Sequence, residues 1–360
     1  VAGSAILDSL VIGAGQAGLS ASYHLTRLGI SHVVLDANEA PGGAWQHRWD
    51  ALTMRDVHGV AEPPGSAPPP LTLARANEAI PAYFAAYEAE HALPIERPVR
   101  VDRVDDEGGD SAASGILTVH AGERSWRTRT IVNATGTWTQ PFIPHYPGAS
   151  EFRGEQFHTV AYPGPEHFRG KRTLVVGGGA SAVQFLGAIA PLTETLWVTR
   201  REPVWRTDDF TPEAGAAAVA LVEERVAAGL PPMSVVSVTG LALREQEREA
   251  ERLGAYGDRR PMFDRLEADG VRWSDGSFER VDAIIWATGF RPAIAHLAPL
   301  SLRSPAGGIQ LDRAGRGTGA VVDERVQLVG YGPSASTIGA NRAGRTAATG
   351  VRRALAALVA

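Results

Sequence analysis

The run Ile6-Leu7-Asp8-Ser9-Leu10-Val11-Ile12, emptying into Gly13-Ala14-Gly15-Gln16-Ala17-Gly18, decides the reading of this 360-residue chain. An apolar strand enters a glycine cluster, continues as a helix from Gln16 to Leu28 that Gly29 stops, and returns as a strand from Ile30 to Leu35. That order opens a doubly wound α/β fold: the first glycine permits a tight turn, the second lets the backbone approach a pyrophosphate, and the third lets the helix pack closely. The same landmarks recur further on. Arg172 to Val176 runs into Gly177-Gly178-Gly179-Ala180-Ser181-Ala182, followed by a helix from Ser181 to Ala190, Pro191, and a strand from Thr195 to Thr199. Each copy closes with a turn, two strands and Ala-Thr-Gly, from Ala121 to Gly136 and from Ser274 to Gly289. A repeat of this length reads as a duplicated unit. Arg325 to Gly330 and Ser334 to Ala360 then read as a last strand and helix, too little for a core of their own, so they are expected to dock on the first unit. The predicted architecture is α/β, with two Rossmann-like dinucleotide-binding domains, the second inserted in the first. Its expected bounds are 1–148 and 290–360 for the first domain and 149–289 for the insert.

The glycine clusters carry the chemistry. Each places the unpaired N–H groups and positive dipole end of a helix where a phosphate can meet them, with no basic side chain required. Candidate cofactor contacts are Gly13, Gly15, Gln16, Ala17 and Gly18 in one copy, and Gly177, Gly179, Ala180, Ser181 and Ala182 in the other. The residue ending the second strand separates the two sites. Asp36 can accept both hydroxyls of a ribose with a free 2'-OH, which suits FAD or NAD. Arg200 and Arg201 cannot accept them but can pair with a 2'-phosphate, which suits NADP.

Composition narrows the class. A net charge of -5 argues against nucleic acid, and 44% hydrophobic residues suffice for full cores. No apolar run is long enough for a membrane span and no signal-peptide pattern opens the sequence, so a cytoplasmic enzyme with no membrane partner is expected. The absence of cysteine excludes a disulfide reductase and thiolate metal sites, and no metal is expected.

Between the two copies, Phe152-Arg153-Gly154-Glu155-Gln156-Phe157-His158-Thr159-Val160-Ala161-Tyr162 resembles the Phe-x-Gly-x-x-x-His-x-x-x-aromatic signature of the class B flavin-dependent monooxygenases, in particular the small bacterial flavin-containing monooxygenase-like proteins. The resemblance spans almost the whole chain. It implies that Gly43, Ala44 and Trp45 of Gly-Gly-x-Trp pass beside a flavin, with Ala134, Thr135 and Gly136 near it, and that the backbone of Val101 meets the adenine. Ala287, Thr288 and Gly289 resemble the linker returning to the FAD domain, and His158 is the family's linker histidine, structural or catalytic. The last position is Tyr, as in the flavin-containing and N-hydroxylating branches, where the Baeyer-Villiger branch has Trp.

The activity so implied is reduction of FAD by NADPH and transfer of one oxygen of O2, through a flavin C4a-hydroperoxide, to a small sulfide, amine or ketone. The cofactor performs the difficult chemistry, which accounts for the lack of a nucleophilic triad. The expected partners are the small-molecule substrate and O2, with a homodimer left open. Where many relatives carry Asn after Gly-Gly-x-Trp, the loop from Trp49 to Val60 offers Arg55, Asp56 and His58, and Asp56 and His58 are the candidates to face the flavin. The terminal helix, starting at Ser334, is expected to aim its N-terminus at the flavin. Pro212 to Ala228 and Leu241 to Leu253 read as helices that cover a substrate entrance or decorate the NADP domain. The rival readings are an FAD-dependent NAD(P)H reductase passing electrons onward and a flavoprotein without catalysis.

Overall fold

The computed structural model describes residues 5–55, 57, 63–108, 115–206, 212–233, 240–243, 245–312 and 317–358. Asp56 and His58 therefore lie outside the described residues. Two compact units form, one from Val1–Thr137, Ala216–Val235 and Pro292–Ala360, the other from Trp138–Gly215 and Val236–Arg291. The second is inserted in the first.

In the first unit, the strand Leu7–Ile12 lies between His32–Leu35 and Arg124–Asn133, parallel to both, and Ile95–Glu96 extends the parallel set beyond His32–Leu35. Its inner residues Leu10 and Val11 are fully buried, as a parallel strand covered on both faces requires. Arg124–Asn133 is long enough to serve two neighbours on its other side. Its start pairs antiparallel with Leu117–Ala121, and its end pairs parallel with Val326–Leu328. The returning strand thus completes the first sheet, as the sequence led us to expect. The terminal helix Thr337–Ala357 packs on the helix Gln16–Arg27 through small residues: a Cβ on Gly344 would sit 2.3 Å from Ser20 Oγ, and that hydroxyl donates to the Asn341 carbonyl at 2.9 Å. The terminal helix begins three residues later than Ser334. Ser336 caps it by accepting from the Gly339 N–H at 3.0 Å, while Ser334 closes a short 3-10 turn by donating to the Tyr331 carbonyl at 2.9 Å.

The second unit is a parallel five-stranded sheet in the order Arg259–Arg260, Thr195–Val198, Thr173–Val176, Ala283–Trp286, Glu155–His158. The helix Ala180–Ile189 follows its central strand, and a small antiparallel sheet of Arg265–Glu267, Gly270–Arg272 and Phe278–Arg280 stands beside it. The linker signature is an edge strand here. A Cβ on Gly154 would lie 2.5 Å from the Asp282 carbonyl, so only glycine lets Glu155–His158 close onto Ala283–Trp286.

Within 203–269, Pro212–Ala227 is helical, but its later part belongs to the first unit, where Val226 is buried in the core with Leu302, Ile309 and Tyr331. Leu241–Ala242 is a short strand paired with Trp205–Arg206, and the helix begins only at Glu245, ending at Arg252.

Candidate functional site

Two cradles are built on the same plan, one in each unit. In the first, Gly13 takes φ +103°, a left-handed value that other residues resist, and a Cβ there would lie 2.7 Å from the Ala134 carbonyl oxygen. Gly18 is equally constrained, since its Cβ would fall 1.9 Å from the Gly13 carbonyl. Gly15 differs. Nothing lies within 4 Å of a Cβ built on it, it caps the helix Gln16–Arg27 without a side-chain hydrogen bond, and the first turn holds no acidic residue. The helix N-terminus therefore opens on space that a phosphate can enter. Gln16, Ala17 and Gly18 follow as buried residues of the first turn.

The Gly-Gly-x-Trp stretch closes on this loop. Gly43 begins the 3-10 turn Gly43–His47, and a Cβ on it would sit 2.8 Å from Gly15 Cα. Ala44 and Trp45 are half-buried, with Trp45 packed on the core, and the Arg48 guanidinium lies 5.4 Å from the Trp45 ring centre. Burial depresses Arg48 to about 10. Arg48 is thus a charge-bearing residue of this turn that the sequence reading did not single out. Arg55 is exposed.

Asp36 stands at the end of His32–Leu35, its side chain 4% exposed. Its backbone is fixed on both sides, the N–H donating to the Glu96 carbonyl at 3.0 Å and the carbonyl accepting from the Val99 N–H at 2.7 Å, which brings the run to half-buried Val101 alongside. On the other flank, Ala134 donates its N–H to the Ile12 carbonyl at 2.8 Å, and Gly136 accepts from the Ala293 N–H at 2.9 Å. Asn133, Thr135 and His296 form a polar chain beneath that turn. His296 Nε2 donates to Asn133 Oδ1 at 2.7 Å, Asn133 Nδ2 donates to Thr135 Oγ1 at 3.0 Å, and Thr135 Oγ1 donates to the Ala293 carbonyl at 2.6 Å. Burial lowers His296 to about 4, so it is neutral at pH 7.

The second cradle repeats the geometry. Gly177 has φ +138°, and its Cβ would lie 2.2 Å from the Ala287 carbonyl. Gly179 caps the helix Ala180–Ile189, again with no side-chain cap, no acid in the first turn and nothing within 4 Å of a Cβ. Ala180 and Ser181 are half-buried and Ala182 is buried. Ala287 donates its N–H to the Val176 carbonyl at 2.9 Å, and the Thr288 hydroxyl donates to the Phe142 carbonyl.

Its strand end is the reverse of Asp36. Arg200 and Arg201 are exposed, and neither is ion-paired among the described residues. Beside them is a third guanidinium that the sequence reading missed. Arg259 lies on the strand paired with Trp197 and Val198, donates through Nη1 to Thr199 Oγ1 at 3.1 Å, and stands 3.7 Å from Glu202. Only the sheet topology could have revealed it.

His158 is 5% exposed, and both of its ring nitrogens are used: Nε2 donates to the Gly289 carbonyl at 3.0 Å, and Nδ1 accepts from the Val160 N–H at 3.4 Å. Burial lowers its pKa, against the opposing pull of the Gly289 carbonyl. It therefore acts as a neutral brace between the edge strand and the Ala287–Gly289 turn. Tyr162, closing the signature, stacks on Phe185 with ring centres 4.2 Å apart.

Among the described residues, no cluster of three metal-ligating side chains occurs, and no helix is long and apolar enough to cross a membrane.

Comparison with known proteins agrees with this plan. Residues 10–230 match the pyridine nucleotide-disulphide oxidoreductase family. A flavin-containing monooxygenase from Stenotrophomonas maltophilia is 36% identical in sequence and superposes with a TM-score of 0.80, covering 98% of this chain and 99% of that one. The indole-3-pyruvate monooxygenase YUCCA1 of Oryza sativa subsp. japonica is 26% identical over 318 residues, which span 79% of this chain and 76% of that protein. An open crystal structure of cyclohexanone monooxygenase, 16% identical with a TM-score of 0.65 over 98% of this chain and 87% of that one, shares the fold.

Proposed function

Because the chain belongs to the class B flavin-dependent monooxygenases, within the wider pyridine nucleotide-disulphide oxidoreductase family, we propose that it binds FAD in the first cradle and NADPH in the second and uses O2 to oxygenate small sulfides, amines or ketones. With no cysteine, it cannot use the dithiol chemistry for which the wider family is named.

The observation that carries the cofactor assignment is the contrast at the two strand ends. Two open helix N-termini offer the same anion site, at Gly15 and at Gly179, but one ends in a buried carboxylate and the other in exposed guanidinium groups. Asp36 accepts ribose hydroxyls and would repel a 2'-phosphate, which suits FAD or NAD, and the Gly-Gly-x-Trp stretch that closes on Gly15 favours FAD for the first cradle. Arg200 and Arg201, with Arg259 held beside them by Thr199, favour the extra phosphate of NADPH. Gly43 to Trp45 and Ala134 to Gly136 flank the first cradle, Val101 lies along the adenine side, and Ala287 to Gly289 closes the second. His158 holds that last turn in place and, with both nitrogens occupied, carries no proton between reactants.

A bound flavin supplies electron acceptance from nicotinamide and the activation of dioxygen. The chain binds and orients the two nucleotides and fixes the backbone turns around them. The test is to supply NADPH, isotopically labelled O2 and a panel of small sulfides, amines and ketones to the flavin-loaded enzyme. The expected result is one labelled oxygen in the product for each NADPH consumed. Peroxide in amounts matching NADPH, with no labelled product from any of the three classes, would assign a reductase instead.

A further inference from the structure

The carboxylate at the first strand end is already engaged. Asp36 Oδ1 accepts from Asn38 Nδ2 at 3.1 Å and from the Asn38 N–H at 3.4 Å, and Oδ2 receives Arg97 Nε at 3.3 Å. Arg97 is held at its far end by a bidentate pair with Glu88 of the helix Ala76–Glu90, at 2.7 and 2.8 Å. All three side chains are nearly shielded from water, at 4% exposure for Asp36, 14% for Arg97 and 11% for Glu88. Asn38 has a second partner, since His47 Nε2 donates to its Oδ1 at 2.8 Å.

An ionised carboxylate has about four lone-pair directions, and three donors here occupy three of them. A ribose diol brings two donors, so one resident donor must leave. Arg97 is clamped by two short, shielded, charge-assisted hydrogen bonds to a helix, whereas the Asn38 side chain is tied elsewhere only by a single hydrogen bond to exposed His47. We propose that Arg97 is a positioning residue for nucleotide binding: anchored by Glu88, it holds the Asp36 carboxylate in the orientation that receives the ribose diol, while the Asn38 side chain gives way. The inference rests on the assignment of an adenosine ribose to the first cradle. It predicts that removing Arg97 costs the protein its ability to sense the diol and leaves its grip on the phosphates intact.

The experiment uses the full-length chain freed of flavin, with calorimetric titration of ADP and of 2',3'-dideoxy-ADP, which lacks both hydroxyls. Wild-type protein is expected to bind ADP at least about tenfold more tightly than the dideoxy compound, the scale of hydrogen bonds to a charged group. Arg97→Met is expected to bring that ratio below about threefold while leaving dideoxy-ADP affinity within about twofold of wild type. A wild type that does not distinguish the two compounds would overturn the ribose assignment itself, and this proposal with it. A wild type that distinguishes them, with Arg97→Met distinguishing them as strongly, overturns the role of Arg97 alone. A variant that weakens both compounds equally does the same. Should the single variant not fold, because two buried carboxylates face each other without their cation, Glu88→Gln with Arg97→Met removes one of those charges and is read by the same ratio.

Discussion

The two cradles share a turn, an open helix N-terminus and an Ala-Thr-Gly closure, yet they differ in how the discriminating charge is kept. Asp36 is buried and held by Arg97 and Asn38, with Glu88 behind Arg97. Arg200 and Arg201 stand exposed and unpaired among the described residues. A shielded, pre-oriented carboxylate suits a cofactor that stays bound, because its ordering cost is met in the folded protein before the nucleotide arrives. Exposed arginines suit a nucleotide that enters and leaves with each turnover. The histidines beneath the two turns are, by contrast, alike. His296 braces Asn133 in the first unit and His158 braces Gly289 in the second, each neutral and each through Nε2.

That contrast can be broken at several points. Replacing Arg200 and Arg201 together by alanine should weaken NADPH by about 100-fold while changing NADH by less than about threefold, from two charge-assisted hydrogen bonds lost. Stopped-flow reduction of the flavin at varied NADPH and NADH measures both, and equal losses would remove the 2'-phosphate assignment. Of similar size is an acid limb in stability. The folded pKa of His296 is about 4, against an ordinary 6.5, so its contribution is full above pH 6.5 and declines as pH falls from 6.5 toward 4, where the unfolded chain gains a proton that the folded one refuses. The loss should amount to about 3 kcal/mol over that range. His296→Gln should flatten this part of the unfolding profile, and an unaltered limb would show that His296 does not titrate as its burial implies. The smallest expected effect sharpens the second cradle. Arg259→Leu should weaken NADPH about fivefold and spare NADH, since Arg259 reaches the site through Thr199.

The sequence revealed the parts of this molecule whose cause is local. Glycines at Gly13, Gly15 and Gly18 answer to a turn, a ligand gap and a helix contact within one stretch, and the repeat at Gly177 makes the duplication visible. The insertion followed from the lone strand and helix at the C-terminus, which now complete the first sheet and pack on the helix Gln16–Arg27. Arg97 and Arg259 were not legible, because each reaches its site from a distant strand or bend, where no spacing rule marks it. The start of the terminal helix was misplaced because Ser334 and Ser336 are both plausible caps, and Pro333 belongs to the 3-10 turn before the helix. Pro212–Ala227, rich in alanine and glutamate, carries no sequence sign that its Val226 belongs to the core of the first unit.

The division of the two nucleotides is tested most directly by filling each cradle in turn. A Cβ on Gly15 or on Gly179 meets no protein atom within 4 Å, so Gly15→Val and Gly179→Val should fold as wild type does while occupying the phosphate space. The measurement is the affinity of each variant for FAD and for NADP by equilibrium titration. Gly15→Val should lose FAD and keep NADP, and Gly179→Val should lose NADP and keep FAD. A folded variant that loses the other nucleotide, or keeps both, would contradict the assignment of one cradle to each.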